Sequence, residues 1–168
     1  SGLLIAALDL LEAPSLRAIY GDEVIRQAGG DLGIALRPGL NLDLLLSLPA
    51  GMSRHWLFNR DVWLQMGGFR AEAGNAMELD YILRLIEAQG FDGLGHVSEP
   101  LLICDALKLK DCPDERAVIQ RHLLARGFQE ARVGSRLPGC YDLDYGVEDN
   151  ALVSILILVK GGLGKVQR

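Results

Sequence analysis

Residues 67–90 read GGFRAEAGNAMELDYILRLIEAQG, and this stretch predicts the best-defined element of the chain. After Asn75 the apolar residues recur at three- and four-residue spacing, as on one face of a helix. The apolar face consists of Leu79, Ile82, Leu83 and Ile86. Gly90 ends the pattern in the way that glycine commonly ends helices. The sequence therefore predicts a helix that buries one face in a core.

Two acids, Glu78 and Asp80, stand in the first turn of this helix. Asn75 and Glu78 have the spacing of a capping box, and negative charge is favourable at a helix start. Asp80 and Arg84 are four residues apart and can pair on the helix surface. A second interpretation is catalytic, because a long glycine-bearing loop delivers an acid to a helix start. The two remain compatible, since one oxygen of Glu78 can cap while the other faces a cleft.

The remaining pattern alternates between predicted strands and helices. The predicted helices are one at 3–11 that ends before Pro14, a short one capped by Asn41, one that begins at Asp61 and ends at Gly67, and one from Pro113 to Gly127. The predicted strands are a pair within 16–27 turning near Gly21 and Asp22, one at 54–60, two short strands within 94–106, a hairpin around Pro138 and Gly139, and a last strand at 151–159. A glycine-rich loop is predicted at 29–39.

This alternation predicts an α/β fold with a mixed sheet and helices. We expect three parts: an α/β portion at 1–106, a connector of one helix and one hairpin at 107–150, and a strand at 151–168. The chain starts with Ser-Gly instead of Met and enters a helical pattern at once, which indicates a piece of a longer protein.

Charge and composition exclude several classes of function. The 168 residues include 17 Lys and Arg against 22 Asp and Glu, a net charge of −5, so no basic footprint for nucleic acid is present. The longest apolar run, 151–159, is too short to cross a bilayer, so no membrane span is predicted. Three cysteines without close spacing indicate reduced thiols in a cytoplasmic protein.

Other motifs give weaker signals. The closing KGGLGK, residues 160–165, lacks the Ser or Thr and the helix that a phosphate-binding loop needs. Asp22 and Glu23 fit either a turn or a divalent cation, and turn chemistry is favoured. The three histidines have no metal-ligand spacing, so no metal site is predicted within this chain.

Residues 54–85, RHWLFNRDVWLQMGGFRAEAGNAMELDYILRL, resemble the second half of family 2 glycosyltransferases of the GT-A fold. In that family a strand and a helix lead into Gly-Gly-Phe, a loop, and an acidic cluster that opens a helix ending in Leu-Arg-Leu. Four further segments, at 16–23, 40–47, 114–145 and 152–160, are similar to family segments in the same order. The last two resemble the connector and first strand of multi-domain polysaccharide-assembly members.

The resemblance implies a Rossmann-like GT-A sheet and an inverting glycosyl transfer in surface polysaccharide or O-antigen-type biosynthesis. It makes Glu78 the general base and Asp80 the second acid, with Gly67, Gly68 and Phe69 on the acceptor side. The partners it implies are a nucleotide-sugar donor and a saccharide acceptor. A divalent cation, Mg or Mn, is expected in the full-length enzyme, in a donor-binding half upstream of Ser1. The fragment alone is therefore expected to be inactive.

The departures from the family pattern keep a second function open. Met77 stands where the family usually has an acid, and Glu78 replaces the more common Asp. The Gln-x-x-Arg-Trp signature is missing, which disfavours a polymerising synthase. The alternative is a non-catalytic scaffold or acceptor-binding module. We also expect a cytoplasmic location, with peripheral contact with the inner membrane left open for the full-length protein, and self-association through exposed sheet edges.

Overall fold

The computed structural model describes residues 2–27 and 29–146. In chain order the elements are α1 (Gly2–Glu12), β1 (Ala18–Arg26), β2 (Leu32–Ala35), α2 (Leu42–Ser47), α3 (Pro49–Met52), β3 (Leu57–Phe58), α4 (Arg60–Gln65), a 3-10 helix (Ala71–Ala76), α5 (Met77–Gln89), β4 (Leu94–Asp105), α6 (Pro113–Ala125), β5 (Arg132–Leu137) and β6 (Cys140–Asp144). This mixture of strands and helices confirms the α/β class.

The main sheet is built around β1. Along one side β1 pairs in parallel with β4 over its whole length. On its other side it pairs antiparallel with β3 near its start and with β2 near its end. The sheet is therefore mixed, as predicted. The parallel pair requires a long crossover, and that crossover contains the 67–90 stretch.

The predicted turn at Gly21 and Asp22 is wrong, because β1 runs straight through both residues. Gly21 is required by packing, since a Cβ there would lie 2.5 Å from the Leu101 side chain. Asp22 and Glu23 are buried, and each carboxylate contacts a basic side chain that takes the place of water. Shifts in register at this point let β4 continue as one strand, which makes the prediction of two short strands there wrong as well.

More of the predicted helices than of the predicted strands are confirmed. The helices that end near Pro14 and Gly90, and the one from Pro113, form as predicted. Asn41 caps α2, where its Oδ1 accepts a 2.9 Å hydrogen bond from Leu44 N–H. The cap of α4 is Asn59, which accepts from the N–H groups of Asp61 and Val62. The prediction that Asp61 caps this helix is therefore wrong by two residues. The loop predicted at 29–39 contains β2.

One hydrophobic core joins α5 to the helix and hairpin that follow it. Leu79, Ile82 and Leu83 of α5 lie in one buried cluster with Ile119 and Leu123 of α6 and with residues of the hairpin. The predicted hairpin is confirmed as β5 and β6. The part of the chain assigned to a connector thus packs into the core of the preceding part. The boundaries at 106 and 150 remain predictions, and the strand at 151–159 and the Gly-Lys motif lie outside the described residues.

Strand β2 leaves an apolar face uncovered. Leu32, Ile34 and Leu36 are each more than half exposed, and β2 pairs with β1 alone among residues 2–27 and 29–146. This is the kind of edge through which we predicted self-association, and that prediction remains untested. None of the helices in these residues has the length and apolarity that a membrane crossing requires.

Candidate functional site

Glu78 lies in the first turn of α5, where two clefts meet. The first cleft has a volume of about 350 Å³, and the charged and polar residues in its lining include Arg54, Asn75, Glu78, Lys108, Lys110 and Glu115. The second is an open cleft of about 570 Å³, lined by Trp56, Phe58, Trp63, Phe69, Asn75, Met77 and Glu78. We call them the polar cleft and the aromatic cleft. Glu78 and Asn75 line both clefts.

The capping box predicted for Asn75 and Glu78 is wrong. The cap residue of α5 is Ala76, which makes no side-chain hydrogen bond, because the 3-10 helix runs directly into α5. Asn75 is used elsewhere: its N–H and Nδ2 donate to Asp114 Oδ2 at 2.8 and 2.9 Å. These bonds tie the loop to the start of α6. Helix capping therefore does not account for an acidic residue at position 78.

The surroundings of Glu78 hold its proton more tightly than water would. Burial raises the pKa of Glu78 above its ordinary value. The backbone N–H of Trp56, the nearby charge of His55, the backbone N–H of His55 and the charge of Arg37 act in the opposite direction without reversing the shift. A carboxylate with a raised pKa is better matched to taking a proton near neutral pH.

His55 connects this carboxylate to a second one. It is the one non-glycine residue with positive φ in the described chain, at 58°. That left-handed conformation costs an ordinary side chain roughly 1 kcal/mol or more. The imidazole Nδ1 lies 2.9 Å from Glu23 Oε1, while the neighbouring backbone faces Glu78. The strained residue thus joins the buried network to the rim of the clefts.

Glu23 is the centre of that buried network, with 1% of its surface exposed. Its Oε2 accepts a hydrogen bond from Arg54 and another, at 3.4 Å, from the Cys104 thiol, while Arg37 Nη1 lies 3.7 Å from Oε1. Burial acts to raise the pKa of Glu23, but the hydrogen bonds from His55 and Arg54 outweigh it and lower the pKa. Glu23 is therefore held as a paired carboxylate.

These residues do not suit the divalent cation expected for the full-length enzyme. Glu23, His55 and Cys104 place one ligand atom each within 4.8 Å of one another. Mg²⁺ and Mn²⁺ prefer oxygen ligands, and this set offers one carboxylate, already paired with Arg54. Asp22 is likewise occupied, by Arg37 N–H at 2.7 Å and His96 Nε2 at 3.3 Å. Because Asp22 and Glu23 lie within β1, the turn interpretation of this pair is wrong. The divalent cation remains a prediction.

Asp80 lies apart from both clefts. It is 2% exposed, and its two oxygens pair with Arg84 Nε and Arg121 Nη2, each at 3.0 Å. The predicted i,i+4 pair is confirmed, but it is buried instead of lying on the surface. Arg84 in turn donates to the carbonyls of Met66 and Gly68. Asp80 thus anchors α6 and the 67–69 turn to α5, and does not line the cleft that Glu78 lines.

The 67–69 turn shapes one wall of the aromatic cleft. Gly67 and Gly68 both have positive φ, at 75° and 65°. A Cβ on Gly68 would lie 3.1 Å from three atoms of the Trp63 indole, so glycine lets that ring pack against the turn. Phe69 then meets Trp63 edge to face, with ring centroids 4.3 Å apart. Phe69 is 38% exposed and lines the aromatic cleft.

Several lining residues were not identified from sequence. Phe58 lines the aromatic cleft, and the buried Tyr81 supports it from behind, with ring centroids 4.8 Å apart. Arg54, Lys108 and Lys110 supply the charge of the polar cleft. The spacing of Trp56 and Phe58, two residues apart in a strand segment, indicated a shared face. The two lysines carried no such pattern.

Comparison with known proteins adds no assignment to this geometry. No protein-family model matches the chain, and no curated protein matches it. The two clefts beside the start of α5 combine a partly buried carboxylate, aromatic side chains and basic side chains.

Proposed function

We propose that this chain forms the acceptor side of a glycosyltransferase, with Glu78 as the general base. The observation that carries the proposal is the position of Glu78: a half-buried carboxylate of raised pKa on the wall of an open aromatic cleft. Sites that combine an apolar aromatic lining with few polar groups are typical of small-molecule recognition. The resemblance of residues 54–85 to GT-A transferases points to the same reaction.

The proposed step is a direct displacement. Glu78 removes the proton from an acceptor hydroxyl as that oxygen forms a bond to the anomeric carbon of the donor sugar. The bond from this carbon to the phosphate oxygen of the nucleotide breaks, and the nucleotide leaves with the electron pair. The anomeric configuration inverts. A positioned base of this kind contributes on the order of 10²-fold or more to rate.

The aromatic cleft would hold the acceptor saccharide. The C–H faces of a sugar ring are apolar and pack on aromatic rings, while its hydroxyls remain available to polar groups. Trp63 and Phe69 offer such rings beside Glu78. Gly67 and Gly68 shape this wall, and Asp80 positions it through Arg84. We therefore assign Asp80 a positioning role and keep the catalytic role for Glu78.

The alternative, a saccharide-binding module without catalysis, has one observation in its favour. Met77, at the position where the family usually has an acid, is 41% exposed and lines the aromatic cleft. An apolar side chain there adds contact surface but no chemistry. Both functions require that the aromatic cleft bind saccharide; only the transferase requires the Glu78 carboxylate.

Saccharide binding is tested by titrating the chain with glucose, galactose, mannose, rhamnose and N-acetylglucosamine, followed by saturation-transfer NMR. We expect at least one of these sugars to bind, and Phe69→Ala to weaken its binding. Phe91→Ala serves as the matched control, because Phe91 is 48% exposed and lies outside both clefts. Equal effects of the two substitutions, or no binding by the wild type, would count against the proposal.

A further inference from the structure

We propose that Glu23, His55 and Cys104 form a binding site for Zn²⁺. Each of the three side chains offers one ligand atom, a carboxylate oxygen, an imidazole nitrogen or a thiol sulfur, and these atoms lie within 4.8 Å of one another. None of the three residues lines the polar or the aromatic cleft. The site is therefore separate from the proposed glycosyl transfer and does not depend on it.

Three segments of the chain bring the ligands together. Glu23 lies in β1 and Cys104 in β4. In the parallel pair Cys104 is level with Ile25, two residues beyond Glu23, so the two side chains lie on the same face of the sheet. His55 comes from the connection between α3 and β3. Because Glu23 is 32 residues from His55 and 81 from Cys104 in the sequence, no spacing motif indicated the site.

The distances and the ligand types suit zinc. His55 Nδ1 lies 2.9 Å from Glu23 Oε1, and Cys104 Sγ lies 3.4 Å from Glu23 Oε2. Bonds of about 2.0–2.3 Å to a tetrahedral zinc place neighbouring ligand atoms roughly 3–4 Å apart. Zinc takes thiolate, imidazole and carboxylate ligands, whereas magnesium and manganese prefer oxygen. Three protein ligands leave the fourth position of a tetrahedral zinc for water.

Arg54 supplies the positive charge that Zn²⁺ would replace. One of its terminal nitrogens donates to Glu23 Oε2 and lies 3.8 Å from Cys104 Sγ, so the guanidinium contacts two of the three ligands. The Arg54 side chain is 21% exposed and lines the polar cleft, into which it can turn. The buried Arg37, whose Nη1 lies 3.7 Å from Glu23 Oε1, would stay. Metal binding thus exchanges one cation at Glu23 for another.

The ligands are reachable, and one of them must lose a proton. Glu23 and Arg54 line a third cleft, of about 280 Å³, which gives an ion a path to the carboxylate. Burial raises the pKa of Cys104, and the hydrogen bond to Glu23 acts in the same direction. The charges of Glu23, Arg54 and Asp105 also act on this thiol. Because the metal binds the thiolate, Zn²⁺ displaces the thiol proton into solvent.

The test is a titration of the reduced chain with Co²⁺, which takes the place of Zn²⁺ and reports its ligands by absorption. We expect a thiolate-to-cobalt charge-transfer band that disappears when Zn²⁺ is added. Cys104→Ser should abolish the band and weaken Zn²⁺ binding about tenfold or more, since even the loss of an outer-shell partner costs about 10–100-fold. The matched control is Cys140→Ser, because Cys140 is also a free, partly exposed cysteine. The control should keep the band.

A second measurement uses the wild-type chain alone. Zn²⁺ should protect Cys104 from iodoacetamide and leave Cys140 as reactive as before, which peptide mass mapping detects. This readout holds even if Cys104→Ser does not fold.

Arg54→Gln tests the exchange of cations. Removing the competing guanidinium should tighten Zn²⁺ binding, whereas loss of a mere surface charge would leave it unchanged. The proposal is overturned if the wild type shows no charge-transfer band, if the band survives Cys104→Ser, or if Zn²⁺ protects both cysteines equally. Arg54→Gln protein that binds Zn²⁺ no more tightly than the wild type would overturn the exchange.

Discussion

Partial burial raises the pKa of Glu78, and burial of the charged carboxylate opposes folding. Its pKa is raised in the folded protein, so the folded state binds its proton more tightly than the unfolded chain does. The stabilisation from this proton is full below the unfolded pKa and is lost as pH rises through the folded pKa. Above its folded pKa the folded protein therefore carries a charged, partly desolvated carboxylate that the unfolded chain keeps fully in water.

We predict that Glu78→Gln raises the free energy of unfolding at pH 7 by roughly 0.5–1 kcal/mol, a value reduced for the solvent that still reaches the group. The gain should shrink toward pH 4, where the wild-type carboxyl binds a proton and resembles the amide. Urea unfolding at both pH values measures it. Glu72→Gln, on the exposed 3-10 helix, should change little. A Glu78→Gln protein less stable than wild type at pH 7 would contradict the argument.

At this scale the catalytic role of Glu78 stays a prediction, and the capping box predicted for it is wrong. Glu78 was noticed as part of a capping box that the structure lacks, and the long loop before it was the better signal. The left-handed conformation of His55 had no signature in sequence, because only a few per cent of non-glycine residues adopt positive φ and no neighbouring residue marks this position. The imidazole of His55 pairs with Glu23, which is 32 residues away along the chain.

The 67–69 turn is the element whose geometry the site most requires. Its two glycines differ in what surrounds them: nothing lies within 4 Å of a Cβ on Gly67, whereas one on Gly68 meets the Trp63 ring. Both Gly67→Ala and Gly68→Ala should lose about 1 kcal/mol from the left-handed conformation. Gly68→Ala should lose more because Trp63 must move.

Chemical denaturation of Gly67→Ala and Gly68→Ala measures this difference, and the near-ultraviolet circular dichroism of Trp63 should change in the second variant alone. Equal loss of stability, with no change in that spectrum, would contradict the packing argument. Because Phe69 follows directly and contacts the same indole, we also expect Gly68→Ala to disturb the aromatic cleft more than Gly67→Ala does.

Helices were predictable and strands less so, for a physical reason. Three local patterns predict elements that form in the structure: the apolar spacing of α5, the start of α6 at Pro113 and the Asn41 cap of α2. The Gly21-Asp22 pair is also a local signal, for a turn, but it is overridden. Arg37, Arg54, His55 and His96 contact the acids of β1 from distant positions in the sequence. Sequence spacing does not reveal such long-range pairing.

For the whole molecule, the shared core predicts one cooperative unit. One buried cluster contains Trp56, Leu123 of α6 and Tyr141 of β6. Tryptophan fluorescence and far-ultraviolet circular dichroism should therefore report one unfolding transition. Leu123→Ala should shift both signals together by about 2–4 kcal/mol. Two separate transitions would instead support an independent connector at 107–150.

The central claim is that Glu78 is a general base, and turnover by the full-length protein tests it most directly. The assay follows nucleotide release from a panel of nucleotide-sugars in the presence of saccharide acceptors. We predict that Glu78→Gln lowers kcat on the order of 10²-fold or more while Glu72→Gln leaves it unchanged. A Glu78→Gln enzyme with wild-type kcat, or a wild-type protein that turns over no donor, would contradict the account.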